Sequence, residues 1–193
     1  MTRSLLAACG FALLAGGATA AEKESLELKL AGKTNTYAWP YAKSQKDFEA
    51  SLNDLKAKKR MGEKIIWPAP PTVDQVLRIT NAGKEKVTIY VGGDPNVIAL
   101  TVKGPGVIAI EPSYSSTTEL RLPQPVALEP GKSHDIAVKW LADGFRTSAR
   151  YIYPVAPGEY TLSATYQLST AEGGKGPLLK SDEVKFSIAE PKK

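Results

Sequence analysis

Pro157-Gly158-Glu159-Tyr160-Thr161-Leu162-Ser163-Ala164-Thr165-Tyr166-Gln167-Leu168 sets Tyr160, Leu162, Ala164, Tyr166 and Leu168 on every second position behind a Pro-Gly turn. Successive side chains of a strand point to opposite faces, so this spacing specifies a strand with one apolar and one polar face. Working outward, the same alternation recurs in Leu77 and Ile79, in Val87, Ile89 and Val91, in Ile98, Leu100 and Val102, in Ile136, Val138 and Trp140, and in Val184, Phe186 and Ile188. Val107 to Ile110 and Tyr151 to Val155 add apolar runs of strand length, and Leu120 with Leu122 suggests one more short strand.

Turn chemistry separates these runs. Asn81-Ala82-Gly83-Lys84 lies between two alternating segments and reads as a hairpin turn. Glu129-Pro130-Gly131-Lys132 pairs a proline, which fixes the first central φ, with a glycine that accepts a positive second φ, as a type II turn requires. Ala171 to Pro177 reads as a Gly-rich loop. About seven short strands at this spacing argue for two packed antiparallel sheets.

The stretch before Thr72 is built differently. Leu26, Leu28 and Leu30 alternate with charged residues, Gly32 to Asn35 can turn the chain, and Lys33 to Trp39 is expected to pair back as a second strand stopped by Pro40. Ser44-Gln45-Lys46-Asp47 resembles a capping box and opens a helix from about residue 45 to residue 60. Phe48, Leu52 and Leu55 give that helix one apolar stripe, which needs a surface to lie on. Gly62 is a suitable stop, and Trp67-Pro68-Ala69-Pro70-Pro71 is a stiff connector that cannot continue a helix. The expected organisation is a signal peptide at 1–20, an N-terminal extension at 21–72 and a β-sandwich at 73–190.

The signal-peptide reading rests on Arg3, the apolar run Leu5 to Ala15 and the small residues Ala18-Thr19-Ala20, with cleavage near Ala20 and a periplasmic or secreted product. The run is shorter than the roughly 20 residues a transmembrane helix needs. Leu6-Ala7-Ala8-Cys9-Gly10 also matches a short lipobox, which would place a lipid anchor on Cys9; ordinary cleavage is the reading preferred here. Cys9 is the only cysteine, so a chain cleaved after Ala20 has neither disulfide nor thiolate ligand. The net charge of +5 becomes +4 without Arg3, the one charged residue of that segment. Such mild basicity gives no case for nucleic acid as a partner. Lys56, Lys58, Lys59 and Arg60 could meet an acidic polymer, but Asp47, Glu49, Asp54 and Glu63 lie near in sequence, which favours a solvated helix face.

Val155-Ala156-Pro157-Gly158-Glu159-Tyr160 resembles the tyrosine corner of immunoglobulin-like and fibronectin type III-like domains. That resemblance covers roughly Thr72 to Ala189 and implies that the Tyr160 hydroxyl bonds upstream backbone. With Leu77-Arg78-Ile79-Thr80-Asn81 and Leu128-Glu129-Pro130-Gly131-Lys132, the chain also resembles exported bacterial immunoglobulin-like β-sandwich proteins of unassigned function, and more loosely the bacterial intracellular proteinase inhibitors. The fold class expected is therefore mainly β, an immunoglobulin-like antiparallel sandwich carrying an N-terminal strand-and-helix extension.

Few chemistries have the residues they need. His134 is the only histidine, so a multi-imidazole metal site is excluded and any Ser-His-Asp triad must use it. Its neighbours Ser133 and Asp135 would point to the opposite face of a strand, and the expectation is an exposed strand histidine. No Gly-x-Ser-x-Gly elbow or calcium loop occurs, and Gly173-Gly174-Lys175-Gly176 lacks the spacing of a phosphate loop. No catalytic residue, metal site or cofactor is assigned, and no enzyme activity is expected.

Two groups of residues remain as binding candidates. Tyr37, Trp39 and Tyr41 alternate on the expected strand; they either offer a face for stacking on a sugar or anchoring a protein, or pack beneath the helix with Trp67. The helix stripe's need for a partner favours the packed reading. Phe145, Arg146 and Arg150 place an aromatic among arginines in the loop after Asp143. The function expected is a non-catalytic binding or structural module of the bacterial cell envelope with a protein or glycan partner. The alternative is a proteinase inhibitor acting through the 143–150 loop.

Overall fold

The computed structural model describes residues 26–112, 119–145 and 148–190; the signal-peptide reading, Cys9 and Arg146 lie outside them. In chain order the elements are β1 (Leu26–Gly32), β2 (Thr36–Tyr37), α1 (Gln45–Arg60), β3 (Thr72–Asn81), β4 (Val87–Val91), β5 (Val97–Lys103), β6 (Val107–Ile110), β7 (Gln124–Leu128), β8 (Ser133–Trp140), β9 (Ala142–Asp143), β10 (Arg150–Pro154), β11 (Gly158–Ser169), β12 (Lys175–Lys180) and β13 (Val184–Ile188). Among the described residues the fold is a mainly β, antiparallel sandwich with one helix packed beside it.

One sheet is β1-β3-β8, antiparallel throughout, with Leu28 opposite Ile79 and Ile79 opposite His134. The other is organised on β11, the strand that decides the fold. Residues 161–167 of β11 pair with β5, while residues 158–162 pair with β13 and residues 165–169 with β12. Because Thr161, Leu162, Thr165 and Gln167 each face two partners, β5 occupies one edge of β11 and β12 with β13 the other. The β12–β13 junction is stitched by Ser181, whose N–H donates to the Ala164 carbonyl at 2.9 Å and whose Oγ accepts from the Ala164 N–H at 2.9 Å. β4 and β7 extend this sheet from Ser169, and a small third sheet, β6-β10-β9, stands beside the sandwich.

The large core fills the space between the two main sheets. Leu28 and Leu30 of β1, Leu77 and Ile79 of β3 and Val138 of β8 bury against the apolar face of β11, with Leu100 and Phe186 from its flanking strands. At its end the Tyr160 hydroxyl donates to the Ala156 carbonyl at 2.5 Å and accepts from the Ala156 N–H at 3.4 Å, the tyrosine-corner geometry.

The helix forms where the sequence places it. Ser44 Oγ accepts from the Asp47 N–H at 3.3 Å, and the Asp47 carboxylate takes the Ser44 hydroxyl at 2.6 Å rather than reaching the cap backbone. Met61 and Gly62 close its other end, with Gly62 at φ +85°. Its Phe48 and Leu52 join Ile110, Tyr153 and Val155 in a second, smaller core over β6 and β10; Leu55 is only half-buried.

Four local expectations are corrected. The Lys33–Trp39 stretch does not fold back on β1: β1 pairs with β3, and β2 instead lies parallel to β13, Thr36 facing Ser187. Asn81–Lys84 does not close a hairpin, because β3 belongs to one sheet and β4 to the other. The fully buried Asn81 directs that crossing, donating to the carbonyls of Glu85 at 2.7 Å and Leu128 at 2.9 Å while its Oδ1 accepts from Gly83 N–H. Leu120 and Leu122 are exposed and not in a strand; the Arg121 carbonyl accepts from Asp94 N–H, and pairing starts at Gln124, past Pro123. The end of the expected Ala171–Pro177 loop is strand: β12 begins at Lys175 and tolerates Pro177 because it is an edge strand.

Candidate functional site

The segment from β2 to α1 carries the aromatic group, and the structure divides it. Tyr37 is half-buried at the sheet edge; its hydroxyl accepts from Asp74 N–H at 3.2 Å and Gln75 Nε2 at 2.9 Å, and its ring meets Phe186 edge-on at 6.0 Å. The β2 pairing ends where the Tyr37 carbonyl accepts from Ala189 N–H at 2.9 Å. Past Pro40, Tyr41 stacks on Phe48 with centroids 3.6 Å apart and donates to the Pro154 carbonyl at 3.2 Å, which fixes it in the small core. Burial raises the Tyr41 phenol pKa far above its ordinary range, and Tyr153 and Tyr160 add to the shift.

Trp39 stands between them. Its indole N–H donates to the Lys43 carbonyl at 2.8 Å and its ring contacts Tyr41 edge-on at 5.0 Å, so the half-buried side chain is held in one orientation. A hollow lies on each side of it. One, of about 510 Å³, is bounded by Tyr41, Lys43, Ser44 and Glu190; the other, of about 290 Å³, is apolar and bounded by Tyr37, Pro40, Pro71, Leu141 and Phe186. Tyr37, Trp39 and Tyr41 thus do not share one face: the first two pack against the large core and the third against the small one.

The 143–150 loop is fastened at its base. The Asp143 carboxylate, 1% exposed, accepts from Arg150 Nε at 2.9 Å and Nη2 at 2.5 Å and from Leu100 N–H at 2.6 Å. Arg150 also donates to the Leu100 carbonyl at 3.1 Å, so its guanidinium ties β10 to β5. Phe145 is half-buried, and its carbonyl accepts from the Ser148 hydroxyl at 2.9 Å. Arg150 lines a hollow different from those beside Trp39, which separates the two candidate groups.

Ser133, His134 and Asp135 do not converge. Ser133 bonds Thr80 at 2.8 Å and Asp135 chelates Arg78 through two 2.7 Å bonds on the outer face, where the guanidinium holds the Asp135 carboxyl below its usual range. His134 takes the side of Ile136 and Val138 and is half-buried, not exposed as expected. Among the described residues no three of His, Cys, Asp and Glu gather to hold a metal ion.

Sequence reasoning missed a basic groove between the second half of α1 and β6, of about 560 Å³, lined by Lys56, Lys59, Arg60, Trp67, Glu111 and Arg150. The signal was present in the series Phe48, Leu52, Leu55, Lys59, which begins as the packing stripe and ends in a cation.

No protein-family model matches the chain, and no curated protein matches it significantly. Among solved structures it is similar to the crystal structure of native alpha-2-macroglobulin from Escherichia coli spanning domain MG7 to the C-terminus, at 13% identity and a TM-score of 0.34, over 86% of this chain and 16% of that one. A β-glucosidase from Erythrobacter marinus is similar at 11% identity and a TM-score of 0.32, over 86% of this chain and 15% of that one. The chain therefore spans about a sixth of the length of either structure.

Proposed function

We propose that the chain is a non-catalytic binding or structural module of the bacterial cell envelope, exported by the segment ending near Ala20, which engages a protein or glycan partner through the cleft at Trp39. The observation that carries this reading is the fixed indole between two hollows. A flat aromatic already held by the Lys43 carbonyl and Tyr41 loses little freedom when a partner covers it, and rigid aromatic anchors of this kind dominate recognition energetics. Inhibition through the 143–150 loop has less support, because the Arg150 guanidinium is already committed to Asp143 and Leu100.

The test is a pull-down from envelope extract with wild type and Trp39→Ala, the variant first matched to wild type in circular dichroism and thermal midpoint. A partner captured by wild type and lost with Trp39→Ala is expected. A partner retained equally by both moves the contact face elsewhere, and turnover that tracks the purified protein overturns the non-catalytic reading.

A further inference from the structure

The packing stripe of α1 changes chemistry halfway along. Phe48 and Leu52 are buried in the small core, yet further along the helix Lys59 continues their stripe and Lys56 and Arg60 stand beside it, all three lining the groove against β6. Trp67, from the connector, packs against the small core and also lines this groove. Lys59 donates to the Glu111 carbonyl, which anchors the helix end at the lip.

The charge is not balanced locally. Lys58, the remaining cation of the run, does not line the groove; it pairs with Asp54 at 2.8 Å, and Glu63 acts on it as well. Of the acids that the sequence sets near this cluster, Asp47, Glu49, Asp54 and Glu63 are all absent from the groove lining, leaving Glu111 as its acid. Arg150 is neutralised by Asp143. Lys56, Lys59 and Arg60 therefore face Glu111 with a surplus of two positive charges. Attraction of cations to the helix C-terminus accounts for placing Lys58, Lys59 and Arg60 in the last turn, but Lys56 lies a turn earlier and is half-buried.

An aromatic surface beside unpaired cations, with one carboxylate able to accept from a hydroxyl, is what a charged sugar requires. We infer that this groove binds an acidic saccharide, whose ring lies on Trp67, whose carboxylate or phosphate meets Lys56 and Arg60, and whose hydroxyl donates to Glu111. The groove is separate from the Trp39 cleft, so the inference goes beyond the function proposed above.

The purified protein is titrated calorimetrically with tetragalacturonate, with a sugar phosphate, with the neutral galactose tetrasaccharide and with vesicles containing anionic lipid. Binding of either acidic sugar, weakened by salt and absent for the neutral tetramer, is expected. The Lys56→Ala/Arg60→Ala pair is expected to weaken it roughly tenfold or more, since two charge-assisted contacts go. Lys58→Ala, which changes the helix charge without touching the groove, and Trp39→Ala are expected to leave it unchanged. The two acidic probes distinguish a carboxylate from a phosphate source. Equal binding of the neutral tetramer, an equal loss with Lys58→Ala, loss with Trp39→Ala, binding of vesicles alone, or no binding of either acidic sugar at millimolar concentration each overturns the inference.

Discussion

The two cores differ in how they hold together. The large one is made of alternate strand residues from two sheets, largely aliphatic, and joins strands far apart in the chain. The small one has five buried residues, and its surroundings are aromatic: Tyr41 stacked on Phe48, Phe48 edge-on to Tyr153, Trp67 and Tyr151 at the margin. It is fastened by phenols bonded to prolyl carbonyls, Tyr41 to Pro154 at 3.2 Å and Tyr153 to Pro68 at 2.6 Å. The helix is thus attached to the small third sheet by few buried residues, and a unit held in this way can open alone.

The sharpest way to break this comparison is a pair of cavities. Leu162→Ala and Leu52→Ala each remove a fully buried leucine and should each cost about 3 kcal/mol at its site. Amide exchange separates them: Leu162→Ala should lower protection throughout both main sheets, and Leu52→Ala only in α1 and the strands beneath it. Loss of β11 protection in Leu52→Ala would make the two cores one cooperative unit.

Alkaline titration comes next. Burial raises the Tyr41, Tyr160 and Tyr166 pKa values in the folded state, so their contribution to stability is complete below the unfolded value of about 10 and is lost as pH rises above it. For Tyr41 the loss approaches about 1.4 kcal/mol per pH unit. Tyrosinate absorbance should show these three ionising together with unfolding. Tyr41→Phe should remove much of that dependence if the small core opens first. Smallest of all, Tyr153→Phe deletes the bond to Pro68 and should cost about 1 kcal/mol in urea unfolding, confined to the small core.

Strands and their faces were legible in the sequence because alternation is a local property; β11, β13 and α1 fall where their patterns put them. Partners were not, because a strand with one apolar face buries it equally well in either sheet. What sends β3 and β4 to different sheets is the buried amide of Asn81, a residue whose ordinary reading is a turn. β12 was hidden by Gly176 and Pro177, which weaken a strand signal yet suit an edge. For the candidate sites, Tyr37, Trp39 and Tyr41 could be picked out as a group, but their division, Tyr37 and Trp39 against the large core and Tyr41 against the small one, is set by tertiary packing. Arg150 read as a loop cation because its partner Asp143 is brought to it only by the β9–β10 pairing. Trp67 and Lys56 were each noted, and only the packing of α1 on β6 joins them.

The parallel pairing of β2 with β13 has a consequence in time. Thr36 and Ser187 are bonded across 151 residues of sequence, and non-local contacts of this kind form late. The strand that leads into Trp39 has no backbone partner until β13 exists, so a chain still being made or moved holds the Trp39 cleft unassembled. The hollows beside Trp39 therefore take shape only with completion of the fold.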